Sequence, residues 1–414
     1  MIKELVCVNC GTTYSTTSPP APQVWMTCVK CGPADGILDY RFDLDAVRKA
    51  WDAEPLSSRA HNHWRYAELL PLKPASIKHE WQVGWTPLIA AERLARQFGL
   101  KRMLFKDEGR NPSASFKDRA SSVGVAHALE VGANTIACAS TGNAATSLAC
   151  HAALGGLQAN IFVPATAPEP KLAQLLVFGA RVFAVEGTYD QAYQLCSAAC
   201  DKFGWYNRNC AINPVLVEGK KTGGLEAAEQ VLLLGEVPDW VAVSIGDGCT
   251  IAGIWKGFAE MHALGVIDRL PRLLGVQAAG VAPIPYAMEY DKLPAPGDGT
   301  TMADSIDVQV PRNWKKAVNA LRDGNGIVKC VSDEQILEAI RLGGKHGVFA
   351  EPAAAAALAG VMAALDDKTI KSGESVLAMV TGSGLKDIRS SIRAGGHPIR
   401  VQPNLAAIAE VIEK

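Results

Sequence analysis

The stretch Lys106-Asp-Glu-Gly-Arg-Asn-Pro-Ser-Ala-Ser-Phe-Lys117-Asp-Arg119 reads as a strand end, a polar turn and the first turn of a helix. Residues 102–106 are short and apolar enough for a strand. Residues 109–115 bring Gly, Asn, Pro and Ser, each a loop residue for its own backbone reason. The helix is expected from Phe116, with Ser115 available as its cap. Lys117 then stands at a helix N-terminus, where the macrodipole disfavours a cation. A lysine in such a place has a use for its neutral form, and an imine with a carbonyl compound is one such use. A solvated helix lysine is the alternative that this stretch leaves open.

Around this stretch, short apolar runs alternate with helical segments. Strands are expected over 135–139, 159–163, 181–185, 240–245, 272–276 and 376–380, most of them followed by a helix. Runs without polar alternation, separated by helices, imply mostly parallel sheets buried on both faces. Residues 43–84 mix short helical pieces with prolines and read as an arm across a larger body. Residues 291–301 crowd Pro294, Pro296, Gly297 and Gly299 into a loop.

The 414 residues are enough for two or three domains. With 41 basic and 42 acidic residues the net charge is −1, which argues against nucleic-acid or anionic-membrane partners. The N-terminus has no signal-peptide layout, and the longest apolar run, 353–365, is too short and alanine-rich to span a bilayer. It reads as a buried helix. Eleven cysteines without an export signal point to a reducing compartment, so a cytoplasmic location is expected.

Cys7-x-x-Cys10 and Cys28-x-x-Cys31 lie 17 residues apart, within the two-knuckle spacing of a four-cysteine zinc site. Gly11 and Gly32 follow the pairs, as tight knuckles require. Four thiolates leave no open position, so the expected role is structural zinc; four free thiols are the alternative.

In open α/β sheets, ligands bind beyond the carboxyl ends of strands. Three loops fall there. Ser140-Thr-Gly-Asn143 offers N–H groups and hydroxyls to a carboxylate or another anion. Gly246-Asp-Gly-Cys-Thr250 can cradle a phosphate, although Ile251 rules out the dinucleotide fingerprint. Thr381-Gly-Ser-Gly384 carries hydroxyls. One lysine, an anion loop, a phosphate loop and a hydroxyl loop are what pyridoxal phosphate requires.

With these segments in hand, the chain resembles the threonine synthase-like family of fold type II (tryptophan synthase β-like) pyridoxal phosphate enzymes. The matches are Leu69-Leu-Pro-Leu72, Gly84-Trp-Thr-Pro-Leu88, Lys106-Asp-Glu, Ser115-Phe-Lys-Asp-Arg119 and Ala139-Ser-Thr-Gly-Asn-Ala144. Glu218-Gly-Lys-Lys-Thr222, Gly246-Asp-Gly248, Glu351-Pro-Ala353 and Thr381-Gly-Ser-Gly-Leu-Lys-Asp387 complete the set. They run in family order through most of the chain. The resemblance implies two three-layer αβα domains with mostly parallel sheets behind a zinc-ribbon-like extension at 1–42. The large, cofactor-binding domain would be 43–110 with 216–414, the small one 111–215, and the protein a homodimer.

It also implies roles. Lys117 would form the internal aldimine and act as proton shuttle. Asn143 would bond the cofactor's 3′-oxygen, and Ser140, Thr141, Gly142 and Asn143 would hold the substrate carboxylate. Gly246, Asp247, Gly248, Cys249 and Thr250 would hold the cofactor phosphate, and Thr381 would face the pyridine nitrogen. Such a hydroxyl does not enforce ring protonation, which favours elimination over full delocalisation into the ring.

The substrate half departs from threonine synthase. Where the family commonly has Thr after the Asn, this chain has Ala144. Where it has Asn-Ser-Val-Asn-Pro-Tyr-Arg before a Glu-Gly-Gln-Lys-Thr run, this chain reads Cys210-Ala-Ile-Asn-Pro-Val-Leu216. That places Cys210 and Ala211 at expected substrate contacts and Leu216 in place of the arginine. Hydrogen bonds to a charged group contribute roughly 1.5–3 kcal/mol each, so four lost contacts weaken recognition of a substrate phosphate unless Arg208 or Lys220 fills in. The expected activity is therefore that of a lyase, dehydratase or ammonia-lyase, by β-elimination or β-replacement on a small amino acid lacking a phosphate. A true threonine synthase, making threonine from O-phosphohomoserine, is the alternative within the family. A catalytically silent regulatory or interaction protein is the alternative outside it.

Overall fold

The computed structural model describes residues 1–15, 26–167, 169–210 and 212–413. Ala211 lies outside them. Strands β1 (Ile2–Cys7), β2 (Thr13–Tyr14) and β3 (Leu38–Phe42) form an antiparallel ribbon in the order β2-β1-β3. The remaining strands are β4 (Leu88–Ala90), β5 (Arg102–Asp107), β6 (Thr135–Ala139), β7 (Gln158–Pro164) and β8 (Arg181–Val185), followed by β9 (Tyr206–Asn207), β10 (Trp240–Ser244), β11 (Arg272–Ala278), β12 (Ile327–Val331) and β13 (Ser375–Val380). They make two sheets, β12-β11-β10-β13-β5-β4 and β8-β7-β6-β9. All pairs are parallel except β4 with β5. The central strands β10 and β13 are buried along their whole length, as strands covered on both faces must be.

The helices framing the strand ends are α1 (Lys117–Glu130), α2 (Asn143–Gly155), α3 (Glu169–Val177), α4 (Tyr189–Phe203), α5 (Val215–Leu232), α6 (Cys249–Ala263), α7 (Trp314–Asp323) and α8 (Pro352–Asp366). The alanine-rich run falls within α8, which is buried as expected. No helix among the described residues is long and apolar enough to cross a membrane.

A buried ion cluster fixes the strand end that leads to Lys117. Lys106 Nζ lies 2.5 Å from Glu226 Oε1 and donates to the Thr86 carbonyl at 2.6 Å. Arg119 Nε and Nη2 reach Glu108 at 2.7 and 2.8 Å, and Nη1 and Nη2 reach Glu226 at 3.0 and 2.8 Å. All four side chains are fully buried. Two cations against two carboxylates leave no net charge in the interior, so each ion is compensated where it is desolvated. Removing one partner of such a set costs about 3–5 kcal/mol. The cluster ties β5, α1 and α5 together, which sets the angle at which the Lys117 turn leaves the sheet.

The ribbon is docked through charge. Asp39 on β3 accepts from Lys256 of α6 at 3.0 Å and from Lys316 of α7 at 2.7 Å. Burial would raise its carboxyl, but the two ammonium groups hold it well below the usual carboxylate range. Met26, Ile37 and Leu38 share a crevice with Cys210, Asn213 and Asn313. The extension thus backs directly onto the loop that carries Cys210.

Candidate active site

Lys117 is the first residue of α1, and the turn before it is tight. Ala114 has φ +63°, a left-handed conformation uncommon for a residue with a Cβ. The turn is pinned to the loop after β13: Phe116 N donates to the Thr381 carbonyl at 2.8 Å and Ser383 N to the Ala114 carbonyl at 3.1 Å. This brings Lys117 and Thr381 together from sequence positions far apart. The expected cap does not form. Phe116 occupies the N-cap position, no side chain caps the helix, and the Ser115 hydroxyl is buried without a partner. Ser115 is instead drawn into a bridge with Gly382.

Lys117 is half-buried and, among the described residues, has no hydrogen-bond or ion-pair partner. Burial pushes its amine below the ordinary lysine value, and the nearby Lys220 ammonium pushes the same way. Both favour the neutral, nucleophilic form.

The Ser140–Asn143 loop follows β6 and opens α2 without a side-chain cap, leaving its first N–H groups available to a carboxylate. Ser140 Oγ accepts from Gly142 N at 3.2 Å, and Thr141 and Ala144 are half-buried at the same helix end. Asn143 Nδ2 donates to Glu351 Oε1 and Oε2 at 2.8 and 3.0 Å. Burial raises the Glu351 carboxyl, with the Asn143 hydrogen bonds and the Lys117 charge opposing. Its sequence motif assigns it no role; its contact is with the amide expected to meet the cofactor. Gly382 is the residue that admits it, since a Cβ there would overlap the Glu351 carboxyl group.

The loop Gly246–Thr250 joins β10 to α6, which also starts uncapped. Asp247 accepts from Asn313 Nδ2 at 2.8 Å, from Arg312 N at 2.8 Å and from Cys249 Sγ at 3.6 Å, at the start of α6. Cys249, expected only as one member of the phosphate loop, touches the ammonium of Lys220. Lys220 also donates to Cys210 Sγ at 3.3 Å, and Arg208 Nη1 lies 3.6 Å from the same sulfur. Arg208 is otherwise held by Ser121 Oγ at 3.0 and 3.3 Å. The Cys249 thiol, burial and the two cations act on Cys210 together, and the net effect holds its thiol well below the ordinary value, although burial alone opposes this.

The charge balance here is unlike the rest of the interior. Lys106 and Arg119 face Glu108 and Glu226, Lys221 faces Glu218 and Glu260, Lys316 faces Asp39 and Arg65 faces Glu229. Arg208 (2 % exposed) and Lys220 (0 %) have no carboxylate within ion-pair distance among the described residues. The Cys210 thiol, whose pKa they lower, is the group that faces both cations. An uncompensated buried charge is costly, so this corner is built for an anion. Leu216, standing where the family commonly has arginine, is buried against α1, with Cδ2 only 2.7 Å from where a Cβ on Gly124 would lie.

Residues 81–382 match the family profile described as pyridoxal-phosphate dependent enzyme. The chain belongs to this family. Within it, the chain is 39 % identical over 418 residues to a threonine synthase of Methanosarcina acetivorans, covering 99 % of this chain and 98 % of the relative. It is 36 % identical over 413 residues to a threonine synthase of Methanocaldococcus jannaschii, covering 99 % of each. The protein is therefore a pyridoxal phosphate-dependent enzyme of the threonine synthase-like group. Solved structures of similar fold include tomato (Solanum lycopersicum) threonine deaminase isoform 2, at TM-score 0.65 and 23 % identity over 75 % of this chain and 86 % of that one. Escherichia coli diaminopropionate ammonia lyase follows at 0.66 and 19 % over 76 % and 89 %.

The residues fit the cofactor: a partnerless lysine amine, an uncapped helix after a glycine turn and buried cations with no carboxylate. The N-terminal cysteines fit a thiophilic ion. The sulfurs of Cys7, Cys10, Cys28 and Cys31 all lie within 4.8 Å of one another, and Tyr14 Oη donates to Cys28 Sγ at 3.0 Å.

Proposed function

We propose that this enzyme acts at the side chain of a small amino acid that carries an anionic group, by elimination or replacement, with O-phosphohomoserine among the substrates to be tested first. The observation that carries this reading is Arg208, buried beside Cys210 with no carboxylate within ion-pair distance among the described residues. Ala144 and Leu216 by themselves favour a substrate without phosphate. That expectation holds only if no other cation fills in, and Arg208 offsets the missing arginine.

The cofactor, when bound through Lys117, supplies a sink for charge developing at the substrate's α-carbon. The protein does the rest. The uncapped start of α2 would hold the substrate carboxylate, and Asn143, fixed by Glu351, and Thr381 are the residues that the resemblance implies would meet the cofactor's 3′-oxygen and pyridine nitrogen. Lys117, its amine pushed below the ordinary lysine value by burial and by Lys220, would take and return the proton at the α-carbon. The four cysteines hold structural zinc in the same proposal.

A panel of O-phosphohomoserine, serine, threonine and β-substituted alanines tests the reading. Turnover is expected for the anionic members, and Arg208→Leu should raise KM for them about 10- to 100-fold with little change for serine. Efficient turnover of neutral amino acids alone would instead favour the second reading, a dehydratase or ammonia-lyase, for which Ala144 and Leu216 are the supporting residues.

A further inference from the structure

Resting on the cofactor assignment but not on the choice of substrate, we propose that Lys220 is the counter-cation of the cofactor's phosphate. The lysine belongs to α5, yet its ammonium reaches Cys249, the first residue of α6. Its stem lies along the same helix: a Cβ on Gly253 would stand 2.9 Å from the Lys220 Cβ. At that helix end the first-turn N–H groups have no side-chain cap and so are open to an anion.

The loop itself adds a reason for a cation. Asp247 puts a carboxylate beside the helix N-terminus, held by Asn313, the Arg312 amide and Cys249, and its charge opposes a phosphate dianion. The buried ammonium of Lys220, on the same Cys249 sulfur that meets Asp247 Oδ2 at 3.6 Å, offsets that repulsion. Arg208 is placed differently. Its backbone N–H donates to the Ala137 carbonyl and its guanidinium rests on Ser121, so it belongs to the side of the smaller sheet and is left for the substrate.

Threonine synthases commonly carry glutamine where this chain has Lys220, so Lys220→Gln removes the charge with a side chain that the fold accommodates. The experiment uses the full-length protein stripped of cofactor and titrated separately with pyridoxal phosphate and with pyridoxal, following the visible absorbance of the bound cofactor. Pyridoxal lacks only the phosphate, so the ratio of the two dissociation constants isolates the phosphate contact. Lys220→Gln should raise the constant for pyridoxal phosphate roughly 10- to 100-fold more than that for pyridoxal, whose smaller change reports the altered Lys117 amine. Lys220→Arg should retain most of the wild-type preference.

Equal losses for both ligands would overturn the proposal in favour of a packing role. Unchanged cofactor affinity with a raised KM for an anionic amino acid would overturn it by assigning the lysine to the substrate. The two dissociation constants are measured without turnover, so they decide the role of Lys220 even if the substrate class is wrong. A wild-type chain that binds neither ligand would instead sink the cofactor assignment itself.

Discussion

Lys117 shows how one side chain is prepared by its surroundings. It begins a helix, where the dipole opposes positive charge, and it is half-buried with Lys220 nearby, so its pKa lies below the ordinary 10.5. For a base with a lowered pKa, the neutral fraction grows as pH rises through that lowered value. Cofactor capture should therefore accelerate with pH and level off below pH 10.5. Replacing Lys220 by glutamine removes the second-largest cause after burial, so the midpoint should move to higher pH; stopped-flow absorbance measures it. An unmoved midpoint would mean that burial alone tunes the amine. Lys117→Ala should abolish the absorbance altogether, and its survival would mean the wrong lysine has been chosen.

Helix α5 shows where local sequence stops being informative. It includes Gly219, Gly223 and Gly224, and glycines cost about 1 kcal/mol each relative to alanine in a helix. Periodicity and propensity therefore offer no reason to expect an 18-residue helix there. The structure supplies the missing term: a Cβ on Gly224 would collide with the Ile254 carbonyl of α6, and one on Gly257 would lie 2.5 Å from Leu225 N. The two helices approach through their glycines, and tertiary packing overrides local preference. Gly224→Ala should thus destabilise by about 1–3 kcal/mol despite its better propensity, read as a lower denaturant midpoint. A neutral or stabilising result would refute the close crossing. Strands such as β10 and β13 are legible because they are buried on both faces and announce themselves by unbroken hydrophobicity. Strand β12 escapes because it lies at the sheet edge with Lys329 and an exposed Cys330 in its middle. The site follows the same division. Loops at strand ends can be read from Gly, Ser and Asn, whereas the Arg208, Lys220 and Cys249 cluster joins three separate elements and leaves no local pattern.

At the scale of the whole molecule, the ribbon and the cofactor site are one mechanical unit. Cys7 ends β1, which pairs with β3; Asp39 on β3 grips α6 and α7, and α7 begins just after Asn313. Asn313 in turn donates to Asp247, in the loop expected to hold the cofactor phosphate, and to the Cys210 carbonyl at 3.2 Å. Loss of metal should therefore be felt at the cofactor, even though no cysteine of the ribbon belongs to that site. Coupling through such a packed network is typically about 0.5–2 kcal/mol, or roughly 2- to 30-fold in affinity. Purified protein should contain one zinc per chain, and chelation or Cys10→Ser should raise the dissociation constant for pyridoxal phosphate within that range. Asp39→Asn provides the decisive arm: it keeps all four thiolates, so zinc should stay bound while cofactor affinity still falls. If chelation removes the metal and cofactor affinity does not change, the ribbon is an appendage that merely rests on the enzyme. If Asp39→Asn loses zinc together with the cofactor, the aspartate supports the ribbon's own fold and does not transmit its state.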